Sequence, residues 1–143
     1  MPNTDSLIDV ADQLKILLEQ YQTTLGIADV YYGDQVLVPR TPTVCVEPLE
    51  KVRELAGVSD RTENTIQVGI MIYHGQVTSS QITRRECDVF AEQVEKVLHL
   101  DRQLGGLLIY GFCNRLESGY AERNGALMFS SRLTYQGLTK TRL

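Results

Sequence analysis

The dipeptide Asn124-Gly125, set between two stretches that alternate apolar and polar residues, constrains this chain more than any other feature. A type I′ turn needs positive φ at both central residues, and Asn-Gly accepts it readily. A two-residue turn there pairs residues whose numbers add to 249, the sum of 124 and 125. It sets Tyr120 opposite Phe129 and Leu116 opposite Leu133, with Phe112, Leu127 and Tyr135 on the same face. The other face carries Arg115, Arg123, Ser130, Arg132 and Thr134, with Glu117 opposite Arg132 in a cross-strand pair worth about 0.2–1 kcal/mol. A slip of one residue loses both the segregation and the charge pair. Gly119 is the expected position of a bulge.

Thr65–His74 is a second clear strand, with Ile66, Val68, Ile70 and Ile72 facing one way and Gln67, Gly69, Met71 and Tyr73 the other. Two segments have helical periodicity. From Asp5 to Leu25, Leu7, Val10, Ala11, Leu14, Leu17, Leu18, Tyr21 and Leu25 form one stripe, with Thr4, Asp5 or Ser6 as cap and Gly26 as stop. Thr83-Arg84-Arg85-Glu86 has capping-box form and opens a helix to about Leu100, burying Cys87, Phe90, Ala91, Val94, Val97 and Leu98. Gly105-Gly106 follows that helix and so reads as a stop rather than a phosphate cradle.

Between these landmarks, Ile27–Tyr32 reads as a short strand or extended link, and Gly33-Asp34 turns the chain. Pro39 and Pro42 force extended backbone, and Thr43–Glu47 reads as a strand ended by Pro48. Leu49–Ala56 could form two helical turns, and Gly57–Asn64 is polar and turn-rich, so Leu49–Asn64 is expected to project between strands. The order predicts a single α+β domain over residues 1–143: an antiparallel sheet of about four strands, two helices on one face, and a projecting loop or hairpin.

Composition bounds function. At 143 residues and 16.1 kDa the chain can bury roughly two thirds of its unfolded surface without a disulfide or metal. The apolar runs Gly69–Tyr73 and Leu107–Tyr110 are too short to span a bilayer, and Met1–Asp5 lacks the basic start of a signal peptide, so a cytoplasmic protein is expected. The net charge of −4 hides a gradient. Residues 1–34 hold six acids against Lys15 (−5), residues 35–101 ten acids and seven bases (−3), and residues 102–143 two acids and six bases (+4). Such a split suits opposite ends of neighbouring copies meeting each other.

No catalytic, metal-binding or cofactor-binding set emerges. Cys45, Cys87 and Cys113 are widely spaced without a CxxC, and read as core residues. Cys87 and His99 lie about 120° apart on one helix, which rules out a dyad. His99 at a helix end reads as a dipole partner. Asp88, Glu92 and Glu95 read as a solvated face, with Glu92 and Lys96 at i,i+4 spacing. The candidate residues are instead those of an oligomer or partner interface: Glu50, Lys51, Arg53, Glu54, Asp60, Arg61 and Glu63 in the projecting connection, and Arg115, Arg123 and Arg132 on the polar hairpin face.

The pattern resembles the tail-terminator (tail-completion) proteins of long-tailed bacteriophages. The resemblance rests on the helix Asp5–Leu25, the stretch Arg40-Thr41-Pro42-Thr43-Val44-Cys45-Val46-Glu47-Pro48, the strand Ile66–Tyr73, the helix Glu86–Leu100, the Leu104-Gly105-Gly106-Leu107 entry to the last hairpin, and the final strand Ala126–Tyr135. Leu49–Glu63 falls outside it. It implies a structural, non-enzymatic virion protein, assembled in the host cytoplasm, forming a homohexameric ring on the finished tail tube. Its implied partners are the tube protein, a neck or head-completion protein and the tail sheath, with DNA only in transit through the lumen and no membrane. A head-completion or neck connector is a rival of similar size. A nucleic-acid-binding α+β domain fits less well, because the charge is negative and the central strand offers only Tyr73 for stacking. A small enzyme lacks a nucleophile with a base at plausible spacing.

Overall fold

The computed structural model describes residues 7–55, 61–79 and 81–142, with the side chains of 55, 61, 62 and 140–142 excepted. Helices α1 (Leu7–Gln20) and α2 (Gln22–Leu25) precede strands β1 (Asp29–Tyr32), β2 (Thr43–Leu55) and β3 (Arg61–Gln76). Helix α3 (Arg84–Leu98), a 3₁₀ turn at Leu104–Gly106, and strands β4 (Tyr110–Arg123) and β5 (Ala126–Arg142) follow. The sheet has the order β1-β2-β3-β5-β4. All neighbours are antiparallel except β1 and β2, which pair in parallel from Asp29↔Thr43 to Tyr32↔Val46.

The expected α+β class holds, with one strand more than anticipated. A parallel pair cannot be joined by a tight turn. Residues 33–42 therefore loop back across the sheet, carrying Val38 into a small cluster with Cys45, Tyr73 and Met128 on the face away from the helices. On the other face the main core joins Val10, Leu14 and Leu18 of α1 and Ala91, Val94 and Leu98 of α3 to Val44, Val46, Ile66, Val68, Ile70, Ile72, Leu133 and Tyr135. These are the stripes that helical and strand periodicity predict.

The helix ends obey local chemistry. Thr83 Oγ1 accepts from the Glu86 amide at 3.2 Å, which makes Thr83 the N-cap, and its hydroxyl donates to Glu86 Oε1 at 3.2 Å. Gly26 adopts φ 75°, and its N–H bonds the carbonyls of Gln22 and Thr23. The expected N-terminal caps Thr4, Asp5 and Ser6 lie outside the described residues.

Three bulges reshape the predicted strands. Pro48 does not end β2: the register shifts across Leu49, so the ladder absorbs the missing proline donor and resumes at Glu50↔Gln67. Leu49–Leu55 is thus strand rather than helical turns, and Ala56 lies outside the described residues. β3 bulges at His74 and continues to Gln76. In the terminal hairpin the predicted register holds from Arg123↔Ala126 to Arg115↔Thr134, including Tyr120↔Phe129, Leu116↔Leu133 and Glu117↔Arg132. Asn124 and Gly125 take φ 56° and 71°, as a type I′ turn requires.

The bulge expected at Gly119 is absent, since that residue pairs with Ser130. It falls at Asn114, whose side chain donates to Gln136 Oε1 at 2.6 Å. Beyond it the faces exchange: Cys113 moves opposite Tyr135 and packs on the core, and Phe112 moves opposite Gln136 instead of sharing the Tyr135 face. Close packing adjoins the bulge. A Cβ added at Gly111 would lie 2.2 Å from Tyr135 Oη, and one at Gly137 would lie 2.8 Å from Leu108.

Candidate functional site

The helices cover one face of the sheet and leave much of the other open. From Arg115 onward, odd-numbered residues of β4 point to that open face with even-numbered residues of β5, as the pairing of Glu117 with Arg132 and the core position of Leu133 require. There Arg115, Glu117, Arg132, Thr134, Asn114, Gln67 and Leu49 line a shallow groove of about 330 Å³. Glu117 Oε1 lies 3.5 Å from Arg115 Nε, and the side chain of Leu49 lies over Gly69, where an added Cβ would come within 3.3 Å of it.

The structure separates the sequence-predicted residues. Arg115 and Arg132 meet in this groove, both exposed. Glu50 and Glu54, opposite Gln67 and Glu63, continue the open face into the β2–β3 arm. Lys51 and Arg53 alternate to the helix side, where Arg53 Nε donates to Asn64 Oδ1 at 3.1 Å. Asp60 and the side chain of Arg61 lie outside the described residues.

Arg123 stands apart. At the hairpin tip it donates to Asp34 Oδ2, the Gln35 carbonyl and Tyr73 Oη, each at 2.8 Å, with its guanidinium 4.9 Å from the Tyr73 ring centroid. Tyr73 Oη donates to Asp34 Oδ1. Asn124 brackets Val38, accepting from its amide at 2.8 Å and donating to its carbonyl at 2.5 Å. The hairpin tip is thereby clamped to residues 34–38, and Arg123 serves that clamp. An open hollow of about 530 Å³ lies beside it, between Val38–Pro42, Gly75–Gln76, Gln81–Ile82 and Met128.

On the helix side, Arg84 holds α3 to the hairpin. It donates to Asp88 at 3.0 Å, to the Gly119 carbonyl at 2.8 Å and to the Ser130 carbonyl at 3.1 Å, and it lies 5.8 and 5.5 Å from the Tyr120 and Phe129 rings. Ser118 donates to Asp88 Oδ1 at 2.8 Å, and with Arg84 it holds that carboxyl below its usual range. The histidines are packing groups. His74, buried, is 2.8 Å from Ser131 Oγ and edge-on to Phe90, and burial, helped by Arg84, lowers its pKa to about 4. His99 is not the cationic dipole partner expected. Its Nε2 accepts from the Cys113 amide at 2.8 Å, which needs a neutral ring, and burial and then Arg102 lower its pKa. Cys45 and Cys87 are buried and Cys113 half-buried, and burial raises all three thiols.

Sequence reasoning missed the outer stripe of α1. Ile8 and Ile16 are 60% and 43% exposed, with exposed Asp12 between them at i,i+4 spacing. The signal was present in the sequence: two isoleucines that fall outside the buried helical phase. Among the described residues no three His, Cys, Asp or Glu side chains are grouped to hold a metal, and no helix is long and apolar enough to cross a membrane.

Neither a protein-family model nor a curated protein matches the sequence. Among solved structures, the chain is similar to the sheath/tube terminator of an extracellular contractile injection system, PVC, in its extended state, at 12% identity and a TM-score of 0.49. That match covers 99% of this chain, which spans 59% of the terminator's length. A second solved chain, without a stated function, is similar at 14% identity and a TM-score of 0.44, over 92% of this chain and 93% of its own.

Proposed function

We propose that this chain is a structural subunit of a ring that closes the end of a phage-type tail tube and joins the tail to the head or neck. The observation that carries the reading is the mismatch between sheet and helices. β3 and β5 have 16 and 17 residues, whereas α1 and α3 have 14 and 15. At about 3.3 Å per strand residue and 1.5 Å per helical residue, strands of roughly 50–55 Å underlie helices of only about 21–23 Å. The helix-packed part of β3 runs from Ile66 to Ile72, and the strand continues at both ends. Such a domain suits an assembly in which neighbours cover what its own helices do not.

The order of helix, strands, arm, helix and hairpin supports the same reading through the sequence resemblance. In it six copies form the ring, which contacts the tube protein, a neck or head-completion protein and the sheath. DNA crosses the lumen without base recognition, and the protein works in the virion without catalysing a reaction. Native mass spectrometry across concentration and ionic strength tests it, together with electron microscopy of purified tubes mixed with the protein. A sixfold species and capped tubes are expected, and a strict monomer that caps no tube overturns the reading. The β2–β3 arm is assigned to a neighbouring subunit or the tube, so deleting residues 57–62 should abolish capping.

A further inference from the structure

We infer that the outer face of α1 in one copy docks in the open-face groove of the next copy. This inference rests on the ring reading only in expecting a repeated contact, and it names the two patches that make it. The first patch is the stripe Ile8–Asp12–Ile16. At 100° per residue, Ile16 points almost directly away from the buried stripe of Val10, Ala11, Leu14 and Leu18, and beside the 3₁₀ turn at Leu104 and Gly105 it stays 43% exposed. Isoleucines at 60% and 43% exposure around a carboxylate make a surface that is apolar and acidic together.

The second patch has the complementary character. Leu49 presents an aliphatic surface over Gly69, and across the groove Arg115 and Arg132 present guanidinium groups, with Glu117 Oε1 3.5 Å from Arg115 Nε. One helix with an apolar, negative outer stripe thus matches a sheet face with an apolar side and a positive side. The placement reproduces the charge gradient of the chain, with the donor patch in the −5 segment and two arginines of the receptor patch in the +4 segment.

The patches differ, so the contact is heterologous, and its repetition gives a closed ring or an open filament. Geometry favours curvature. α1 packs over β1, β2 and β3, while the groove runs from Leu49 of β2 across β3 and β5 to β4. Sheet twist of roughly 20–25° per strand turns these two patches away from a back-to-back arrangement, so successive copies bend round instead of stacking straight.

A charge exchange tests the contact in the full-length chain. Asp12→Arg and Arg132→Glu should each weaken self-association roughly tenfold or more in sedimentation experiments, and the double variant should recover most of the loss. Both sites are exposed, so thermal melts of the variants should match the parent, which separates lost contact from lost fold. Single variants that assemble as well as the parent, or a double variant that recovers nothing, overturn the inference while leaving the ring reading intact. A parent chain that stays monomeric at all concentrations yet caps tubes also overturns it. A parent that neither associates nor caps overturns the ring reading as well.

Discussion

Acidification should destabilise this protein through His74. The ring sits in the layer between α3 and the sheet at 4% exposure, with Ser131 Oγ at 2.8 Å, the Phe90 ring edge-on at 5.7 Å, and Arg84 and Asp88 facing it from α3. Burial and the Arg84 charge outweigh the attraction of Asp88 and lower its pKa from 6.5 to about 4. Between those values the unfolded chain holds a proton that the folded chain refuses. The stabilisation is therefore complete above the unfolded value and is lost as pH falls through 6.5 towards 4. At about 1.4 kcal/mol per pH unit, going from pH about 7.5 to about 4.5 removes about 2–3 kcal/mol. Urea unfolding at the two pH values measures it, with His74→Gln as reference, since glutamine keeps an amide for Ser131 and cannot titrate. The parent should lose about 2–3 kcal/mol more than the variant on acidification. Equal losses in both would refute the assignment of this pH dependence to His74.

Four further outcomes are expected. Tyr135 Oη is buried with no hydrogen-bond partner among the described residues, so Tyr135→Phe should raise stability by about 1 kcal/mol in denaturant titrations. Gly111→Ala, whose Cβ meets that hydroxyl, should cost about 3 kcal/mol, and less in the Tyr135→Phe background, a coupling that a double-mutant cycle reads directly. Arg123→Lys keeps the charge but not the forked donors, so hydrogen exchange at the Val38 amide should speed up while exchange within α3 stays unchanged. Thr83→Ala removes the α3 cap and should lower stability by about 1 kcal/mol.

Much of the fold was legible locally. The Asn124-Gly125 turn and nine residue pairs behind it, down to Arg115↔Thr134, follow from one dipeptide and the alternation around it. The arm was not legible, because Pro48 reads as a stop in any single strand. Only the neighbouring β3 ladder lets β2 step over Leu49 and resume. The Asn114 bulge was equally hidden, since its cause lies in distant partners: Gln136 across the ladder, and the crowded approach of Gly111 to Tyr135 and Leu108. Arg123 looked like its companions Arg115 and Arg132, and it differs only because residues 34–38 fold back over the hairpin tip.

The sequence by itself determined the two amphipathic helices, the caps at Thr83 and Gly26, the type I′ turn and the burial of Cys45, Cys87 and the Ile66–Ile72 stripe. Periodicity, capping and turn chemistry act within a few residues and leave their mark there. The tertiary structure alone decided the parallel edge strand, the continuation of the arm, which arginines line the open face, and the neutral state of both histidines. Each of these depends on desolvation or on a partner far away in the chain. The charge gradient belongs to both: it is written along the sequence, but only the fold turns it into an acidic helix face and a basic groove on different sides of one sheet.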